Sequence, residues 1–372
     1  MLTDQLGIRL ILWLGKTVPL PASPSMLDAL VSAQVMNDDE QGDGFQMTFA
    51  LDKSTGIEYD LLATGSLEPF NRVILGALIG AVPEVLIDGI ITHHQVSPGG
   101  EESGPTLTVT GKDVSVMLDL EEKNDEFPNQ PDFIIATQII ARYAQYGLVP
   151  SVLPTTDVPI EVDRIPRQHE TDFQFLKRLA ERNGYVFYVE PLTFGVNTAY
   201  WGPVVRAGVP QSALTTNMGS ASNVSSLSFS NDSLAPVGTT GTIVEPFTGL
   251  TLPVPSLPSL KVPPLALSPA TPKRTQLFRD TAKQNVATAA TSAVAAATNS
   301  ADPVQGTGSL KSAEYGKVLR ARKLVGVRGV GFAYDGLYYV KRVTHEITRG
   351  DYTQSFTITR EGTGALLPVV LP

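Results

Sequence analysis

The sequence predicts a mainly β protein carrying an α+β insert, and three observations lead there. Residues 1–118 and the chain beyond 206 are built of short apolar runs with period-two alternation, punctuated by Gly, Pro, Asp and Asn. Between them, over 119–205, apolar residues fall at helical spacing behind recognisable caps. Three short signals also recur in the same order in both flanks, and the simplest account is two related β-barrels split by the insert.

In chain order, Leu6, Ile8, Leu10, Leu12 and Leu14 lie on one face of a first strand, while Ile11 and Trp13 make its other face partly apolar. Such a strand is covered on both sides. The stretch superficially resembles a signal peptide, but Asp4 precedes it and Arg9 and Lys16 bound a five-residue apolar run, so no export signal is expected. Phe45–Leu51 and Thr106–Thr110 continue the strand pattern of a small barrel or sandwich. Leu75–Val82, bounded by Pro83, allows a short helix or an inward-packed loop.

Past 119, Asp132 can cap a helix with Ile135, Ile139, Ile140 and Tyr143 on one face, ending at Gly147 with Pro150 beyond. A second helix is better marked. Thr171-Asp-Phe-Gln174 has the form of a capping box, and Phe173, Leu176, Leu179 and Ala180 make an apolar face that stops at Asn183-Gly184. Tyr185–Val189 then reads as a strand.

Residues 206–250 are strand-like and rich in Ser, Thr and Gly. Over 253–272, Pro residues interleaved with Leu and Val describe an extended polyproline-type segment. Linkers are usually polar, whereas this one carries the single charge Lys261, so it is expected to lie against protein, in its own subunit or a neighbour. Residues 275–301 are rich in Ala, contain no Pro or Gly, and read as one helix of roughly 40 Å at 1.5 Å per residue. Its narrow stripe of small residues suits close helix approach, and an exposed spacer helix fits the pattern equally. From 309 to 364 strands return, with turns at Asp335-Gly336 and Arg349-Gly350-Asp351.

The repeat consists of Ser32-Ala-Gln-Val-Met-Asn37-Asp38 against Ser226-Leu-Ser-Phe-Ser-Asn231-Asp232, Ile87-Asp88-Gly89 against Tyr334-Asp335-Gly336, and Leu107–Thr110 against Phe356–Thr359. In each copy the middle signal is read as an Asp-Gly turn leading into a strand. The second copy holds an excess between its first two signals close to the size of the Pro-rich and Ala-rich segments together. The predicted organisation is therefore a first barrel over 1–118, the insert over 119–205, a second barrel over 206–250 and 306–372, and an insertion over 251–305.

Composition narrows function. The 372 residues carry 28 basic and 37 acidic side chains for a net charge of −9, so no basic field exists to gather phosphates, and nucleic acid is not expected as a partner. No stretch of 18 apolar residues occurs, so direct membrane insertion is not expected. Zero Cys excludes disulfides and thiolate metal sites. Gly15-Lys16-Thr17 lacks the leading Gly of a phosphate loop, and Gly329-Val-Gly331 lacks the third Gly of a dinucleotide fingerprint. His93 and His94 are neighbours on a strand and point to opposite faces, while His345 reads as a core or interface residue. No catalytic residue, cofactor or metal site is expected, and the chain is not read as an enzyme. Charged residues are only 17% of the chain, against roughly 25% in average proteins, which suits a subunit whose surface is largely occupied by neighbours.

Two stretches resemble a known family. Arg167-Gln-His-Glu-Thr-Asp-Phe-Gln-Phe-Leu-Lys-Arg-Leu-Ala-Glu-Arg-Asn-Gly-Tyr is similar to a pattern of the phage late-control protein D and valine-glycine-repeat spike family. Phe332 to Phe356 resembles that family's closing barrel, with Gly336-Leu-Tyr-Tyr-Val, then His345, then Tyr352-Thr-Gln-Ser-Phe. The resemblance implies a baseplate hub of a contractile tail or injection system: a homotrimer with two tube-like barrels per subunit, adapting a six-fold tube to a three-fold spike. Because the chain ends soon after the second barrel, the spike is expected as a separate chain.

The implied partners are the spike protein, the inner tube protein, other baseplate components and the tape-measure protein. The implied setting is assembly in the bacterial cytoplasm into a virion tail or injection particle. Trp13, Leu257, Leu260, Leu265, Phe278, Val286 and Val294 are the candidate subunit or partner contacts, most of them in the segment without counterpart in the first barrel. The alternatives are a carbohydrate-binding or cell-adhesion β-protein of a tail particle, and a hydrolase delivered by the tail.

Overall fold

The computed structural model describes residues 8–53, 58–80, 82–100, 104–155, 165–244, 251–254, 261, 263–277 and 300–366. It is mainly β with an α+β insert. The first seven strands are β1 (Ile8–Gly15), β2 (Leu20–Pro21), β3 (Leu30–Asp38), β4 (Gly44–Ala50), β5 (Arg72–Ile79), β6 (Val82–Ser97) and β7 (Thr106–Asp113). β1 behaves as its alternation requires. Ile8, Leu10, Leu12 and Leu14 are buried, whereas Ile11 and Trp13 on the other face are half-buried.

Leu75–Val82 is neither a helix nor a loop as far as Ile79: it is the body of β5, paired along its length with β1 and with β6. The run does not alternate because both of its faces are covered; Val73, Ile74, Leu75 and Ala77 are all at 0% exposure. Asp88-Gly89 is likewise no turn, since it lies within the 16-residue β6. Gly89 and Gly111 serve packing instead. A Cβ on Gly89 would come within 2.9 Å of Phe45 Cε1, and one on Gly111 within 2.4 Å of Phe45 Cζ, so the two glycines make the space that ring fills.

The insert contains β8 (Glu122–Glu126), β9 (Leu148–Val152), β10 (Arg167–Thr171), β11 (Val186–Thr193) and β12 (Val196–Gly202). Two helices, Asp132–Ala141 and Asp172–Asn183, pack on the sheet β11-β12-β9. The second helix starts and stops as its sequence predicts: Thr171 Oγ1 accepts from Gln174 N at 3.3 Å, and Gly184 closes it at φ 68°. Asp132, by contrast, does not cap the first helix. Pro131 is the N-cap, and the buried Asp132 carboxylate accepts from Arg182 and from Asn183 Nδ2. Trp201, fully buried, donates its indole N–H to Leu176 O at 3.0 Å.

The remaining strands are β13 (Gln211–Thr215), β14 (Ser226–Asn231), β15 (Val237–Val244), β16 (Thr251–Val254), β17 (Ala266–Pro269), β18 (Arg274–Leu277), β19 (Val304–Lys311), β20 (Leu324–Arg328), β21 (Gly336–Thr348), β22 (Asp351–Arg360) and β23 (Gly362–Ala365). The predicted helix over 275–301 is corrected at its start, because residues 275–277 belong to β18, paired in parallel with β15. Residues 278–299 of it lie outside the described residues. Arg349-Gly350 forms the two-residue hairpin loop between β21 and β22. The β20–β21 reversal is made by the loop before Asp335-Gly336, where Tyr334 and Asp335 both donate to Gly331 O.

The sequence repeat is a repeat of topology. From β3 the first unit runs β3-β4-β7-β6-β5-β1, and from β14 the second runs β14-β19-β22-β21-β20-β13, the same order with β15 to β18 set aside. Val96 lies opposite Leu107 and Val343 opposite Phe356, each seven residues beyond its Asp-Gly glycine, so two of the three sequence signals match in register. The first signal names the right strands but slips. Through β4 and β19 the ladders equate Ala33 with Phe229, two residues from the sequence match; a slip of two preserves which face each side chain takes and is invisible to patterning. The copies also differ at one edge: β1 meets β5 antiparallel, but β13 meets β20 in parallel.

The two units are joined edge to edge. β3 pairs antiparallel with β21 from Ser32↔Thr348 to Asp38↔Arg342, which fuses both into one 13-stranded sheet. The first unit's core accordingly takes in Ile347 and Tyr352 from the β21–β22 hairpin.

Candidate functional site

The sheet's outward face is where the geometry concentrates. Over part of each of eight consecutive strands, β14-β19-β22-β21-β3-β4-β7-β6, side chains that enter a core alternate with side chains that stay open or half-open; Val85–Ile91 of β6 and Tyr338–Val340 of β21 are instead buried on both faces. Cross-strand registers align the open ones into rows. One row runs Ser228, Thr307, Thr357 and Arg342; another contains Glu346, Gln34, Gln46, Thr110 and His93. Ser, Thr and Gln dominate the face. Neighbours bond along it, with Ser226 Oγ 2.8 Å from Ser309 Oγ, Ser228 Oγ 3.0 Å from Thr307 Oγ1, and Gln34 Nε2 donating to Glu346 Oε1 at 3.1 Å. A wide face of hydroxyls and amides with few charges is wettable and binds neither anions nor cations strongly.

Buried charge holds the parts in place behind that face. Arg322, at φ 62°, donates to Asp43 Oδ1 at 2.6 Å, to Asp43 Oδ2 at 3.1 Å and to Asp38 O at 2.6 Å. Its guanidinium also lies 4.6 Å from the Tyr188 ring centroid, so one side chain of the second unit touches both the first unit and the insert. Burial and the neighbouring Asp43 carboxylate push Asp113 up to about 6. Asp38 is held below the usual carboxylate range: burial opposes ionisation, but the N–H groups of Gln41 and Glu40 and the Arg342 guanidinium outweigh it. The nearby Asp39 has no such donors at Oδ1, and burial pushes it up to about 6.

Two further clamps explain residues the sequence left without a role. Arg72 grips Asp88 with Nε at 2.8 Å and Nη2 at 2.6 Å, and donates to the insert at Tyr146 O and Gly195 O; Asn197 Nδ2 completes the carboxylate at 2.9 Å. Lys261, the lone charge of the Pro-rich segment, donates to Asp302 Oδ1 and Ser300 O, both at 2.6 Å. Arg206 bridges Asp302 to Glu361, and Glu361 in turn accepts from the backbone N–H of Leu265 and of Ala266. The described part of that segment thus lies against its own chain.

Of the candidate contact residues, Leu265 is 2% exposed, packed on Leu324 and Tyr339, and so offers nothing to a partner. Trp13 is half-buried, its ring 4.9 Å from Phe194 of the insert. Leu257, Leu260, Phe278, Val286 and Val294 lie outside the described residues. His345 is a core residue: burial pushes it down to about 3, Nδ1 lies 3.0 Å from Tyr352 Oη, and Nε2 has no partner. His93 is exposed and His94 half-buried. Among the described residues there is no cluster of side chains able to hold a metal ion and no helix long and apolar enough to cross a membrane.

The hydroxyl face was missed, although its signal was present: Ser226, Ser228 and Ser230, then Ser355 and Thr357, then Thr106, Thr108 and Thr110 alternate with apolar residues. Only the registers show that these runs are one surface.

No family model matches the sequence, and no curated protein matches it. Its fold is found in solved structures. A tail protein from Neisseria meningitidis is 14% identical with a TM-score of 0.64, covering 96% of this chain and 98% of that one. A 43 kDa prophage tail protein from Shewanella oneidensis is 14% identical at a TM-score of 0.61, over 95% and 96%. An E. coli component of the type VI secretion system, described as structurally similar to the bacteriophage T4 tail proteins gp27 and gp5, is 12% identical at 0.56, over 92% of this chain and 77% of that one. The chain therefore has a fold shared by phage tail and type VI secretion proteins.

Proposed function

We propose that the chain is a structural, non-enzymatic baseplate hub of a contractile phage tail or tail-like injection system. Three copies, each contributing two tube-like units, make a ring of six that adapts the inner tube to a three-fold spike. The observation that carries this reading is the fused repeat. Two units of one topology sit side by side through a heterologous contact, β3 of one against β21 of the other, which is the kind of contact that propagates around a ring. The open hydroxyl face supports the same reading, because a passage for cargo needs a lining without sticky charge. The fold shared with phage tail and secretion-system proteins supports the setting.

The test is mass and partner together. Light scattering on the purified protein should give about three times the 39.8 kDa chain mass, and the particle should capture its spike protein. A monomer at micromolar concentration that captures no spike protein overturns the proposal.

A further inference from the structure

Where the first unit, the insert and the second unit meet, the described residues hold more acid than base. Asp38, Asp43 and Asp113 are 1%, 3% and 7% exposed, and Asp39 on the β3–β4 turn is half-buried. Two guanidiniums answer them: Arg342 bonds Asp38 Oδ2, and Arg322 grips both oxygens of Asp43. That leaves Asp39 and Asp113. Among the described residues Asp39 Oδ1 has no hydrogen-bond partner. The partners of Asp113 are uncharged: the N–H of Asp43 at 3.3 Å, the N–H of Ser115 at 2.7 Å and the Ser115 hydroxyl. Four carboxylates thus face two guanidiniums in a largely buried site, and charge balances only when two protons are bound.

The nearby cations are engaged elsewhere. Around Asp39, Lys341 is taken by Glu40 at 2.7 Å, and Arg206 and Lys261 by Asp302 and Glu361. Lys177, over the Phe173 ring, lines the same cleft with Glu181 and Asp232, two acids to one base. Around Asp113, Asp88 of β6 is closed by Arg72, and Lys112 is exposed. Burial keeps the Tyr188 and Tyr339 hydroxyls protonated. Burial also pushes Asp39 up to about 6 against the pull of Lys341, and burial together with the Asp43 carboxylate pushes Asp113 to about 6.

Both surplus acids sit where the parts join. Asp113 ends β7 and caps the 3-10 helix Val114–Leu118, whose Val114 and Leu118 belong to the core of the insert. Asp39 donates its N–H to Lys341 O of the second unit at 3.2 Å and lines the cleft that the insert closes on its other side. We propose that this junction is a proton-operated lock: in a mildly acidic medium Asp39 and Asp113 each take up a proton, and the first unit, the insert and the second unit are then held together more tightly than at neutral pH. With both acids ionised, their repulsion of Asp38 and Asp43 loosens the three parts at once. The lock lies within one chain and goes beyond the hub reading, so it stands or falls however the chain assembles.

An acid at about 6 in the closed junction and at 3.8 in the opened one favours closure fully below 3.8 and ceases to do so as pH rises through 6. Between pH 7 and pH 5 each such acid shifts the closed-to-open ratio about tenfold, and the two together about a hundredfold. Hydrogen exchange of the whole chain at one protomer concentration, corrected for the intrinsic pH dependence of exchange, reads that shift in residues 38–44, Val114–Leu118 and residues 320–324, one segment from each part. Protection in all three should rise about a hundredfold from pH 7 to pH 5 in the wild-type chain, about tenfold in Asp39→Asn, and not at all in the double variant Asp39→Asn, Asp113→Asn. If the double variant does not fold, Asp39→Asn decides alone. A wild-type rise below about threefold, a rise confined to one segment, a rise that survives in the double variant, or equal rises in the wild type and Asp39→Asn overturns the lock.

Discussion

Arg322→Met tests whether one buried cation locks the three parts of the chain together. The side chains of Arg322 and Asp43 are 4% and 1% exposed and share bonds of 2.6 and 3.1 Å, with a third bond from Arg322 to Asp38 O. Met keeps much of the volume and removes the charge. Breaking a buried pair by removing one partner costs roughly 3–5 kcal/mol, because the other charge is left uncompensated. Asp43 would retain Asn37 Nδ2 at 2.9 Å and the Asp38 N–H at 3.1 Å, which sets the expectation at the lower end, about 3 kcal/mol. Adding Asp43→Asn removes the stranded charge, so the double variant should be more stable than the sum of the two singles by about 1.5 kcal/mol or more. Urea unfolding at one fixed protomer concentration measures all four proteins, since assembly adds to apparent stability. An Arg322→Met loss within about 0.5 kcal/mol, or strictly additive singles, refutes the lock.

Other substitutions probe different physics. Asp39, raised from 3.8 to about 6, binds its proton more tightly folded than unfolded; its contribution is complete below about 3.8 and is lost as pH rises to about 6. Asp39→Asn should therefore stabilise the protein at pH 7 by up to about 3 kcal/mol and by progressively less toward pH 4, and an unchanged difference between those pH values would contradict the assignment. Gly111→Ala would bring a Cβ within 2.3 Å of Ile90 O and 2.4 Å of Phe45 Cζ, whereas Gly44→Ala meets only Gly111 O at 3.2 Å. The first should cost about 1–3 kcal/mol by thermal unfolding and the second clearly less; equal effects would mean that Phe45 does not need the glycine gap.

Local order was legible in the sequence wherever a pattern and its cause lie within a few residues. The alternation of β1, the helix Asp172–Asn183 between its Thr171 cap and Gly184, and the Arg349-Gly350 hairpin are of this kind. So was the duplication, because two of its three signals keep their register across some 250 residues of chain. Tertiary structure alone decided the rest, since its causes are distant in sequence. Leu75–Val82 resembled a helix or a loop because both faces of the strand that holds most of it are covered, and that removes the alternation that marks one. Asp88 resembled a turn residue until Arg72 and Asn197 closed on it. Lys261 resembled a stray linker charge until Asp302, 41 positions away, took it. The ladder from Ser32–Asp38 to Arg342–Thr348 joins residues some 300 apart, and no local pattern encodes it. That ladder joins the two predicted barrel units into one sheet.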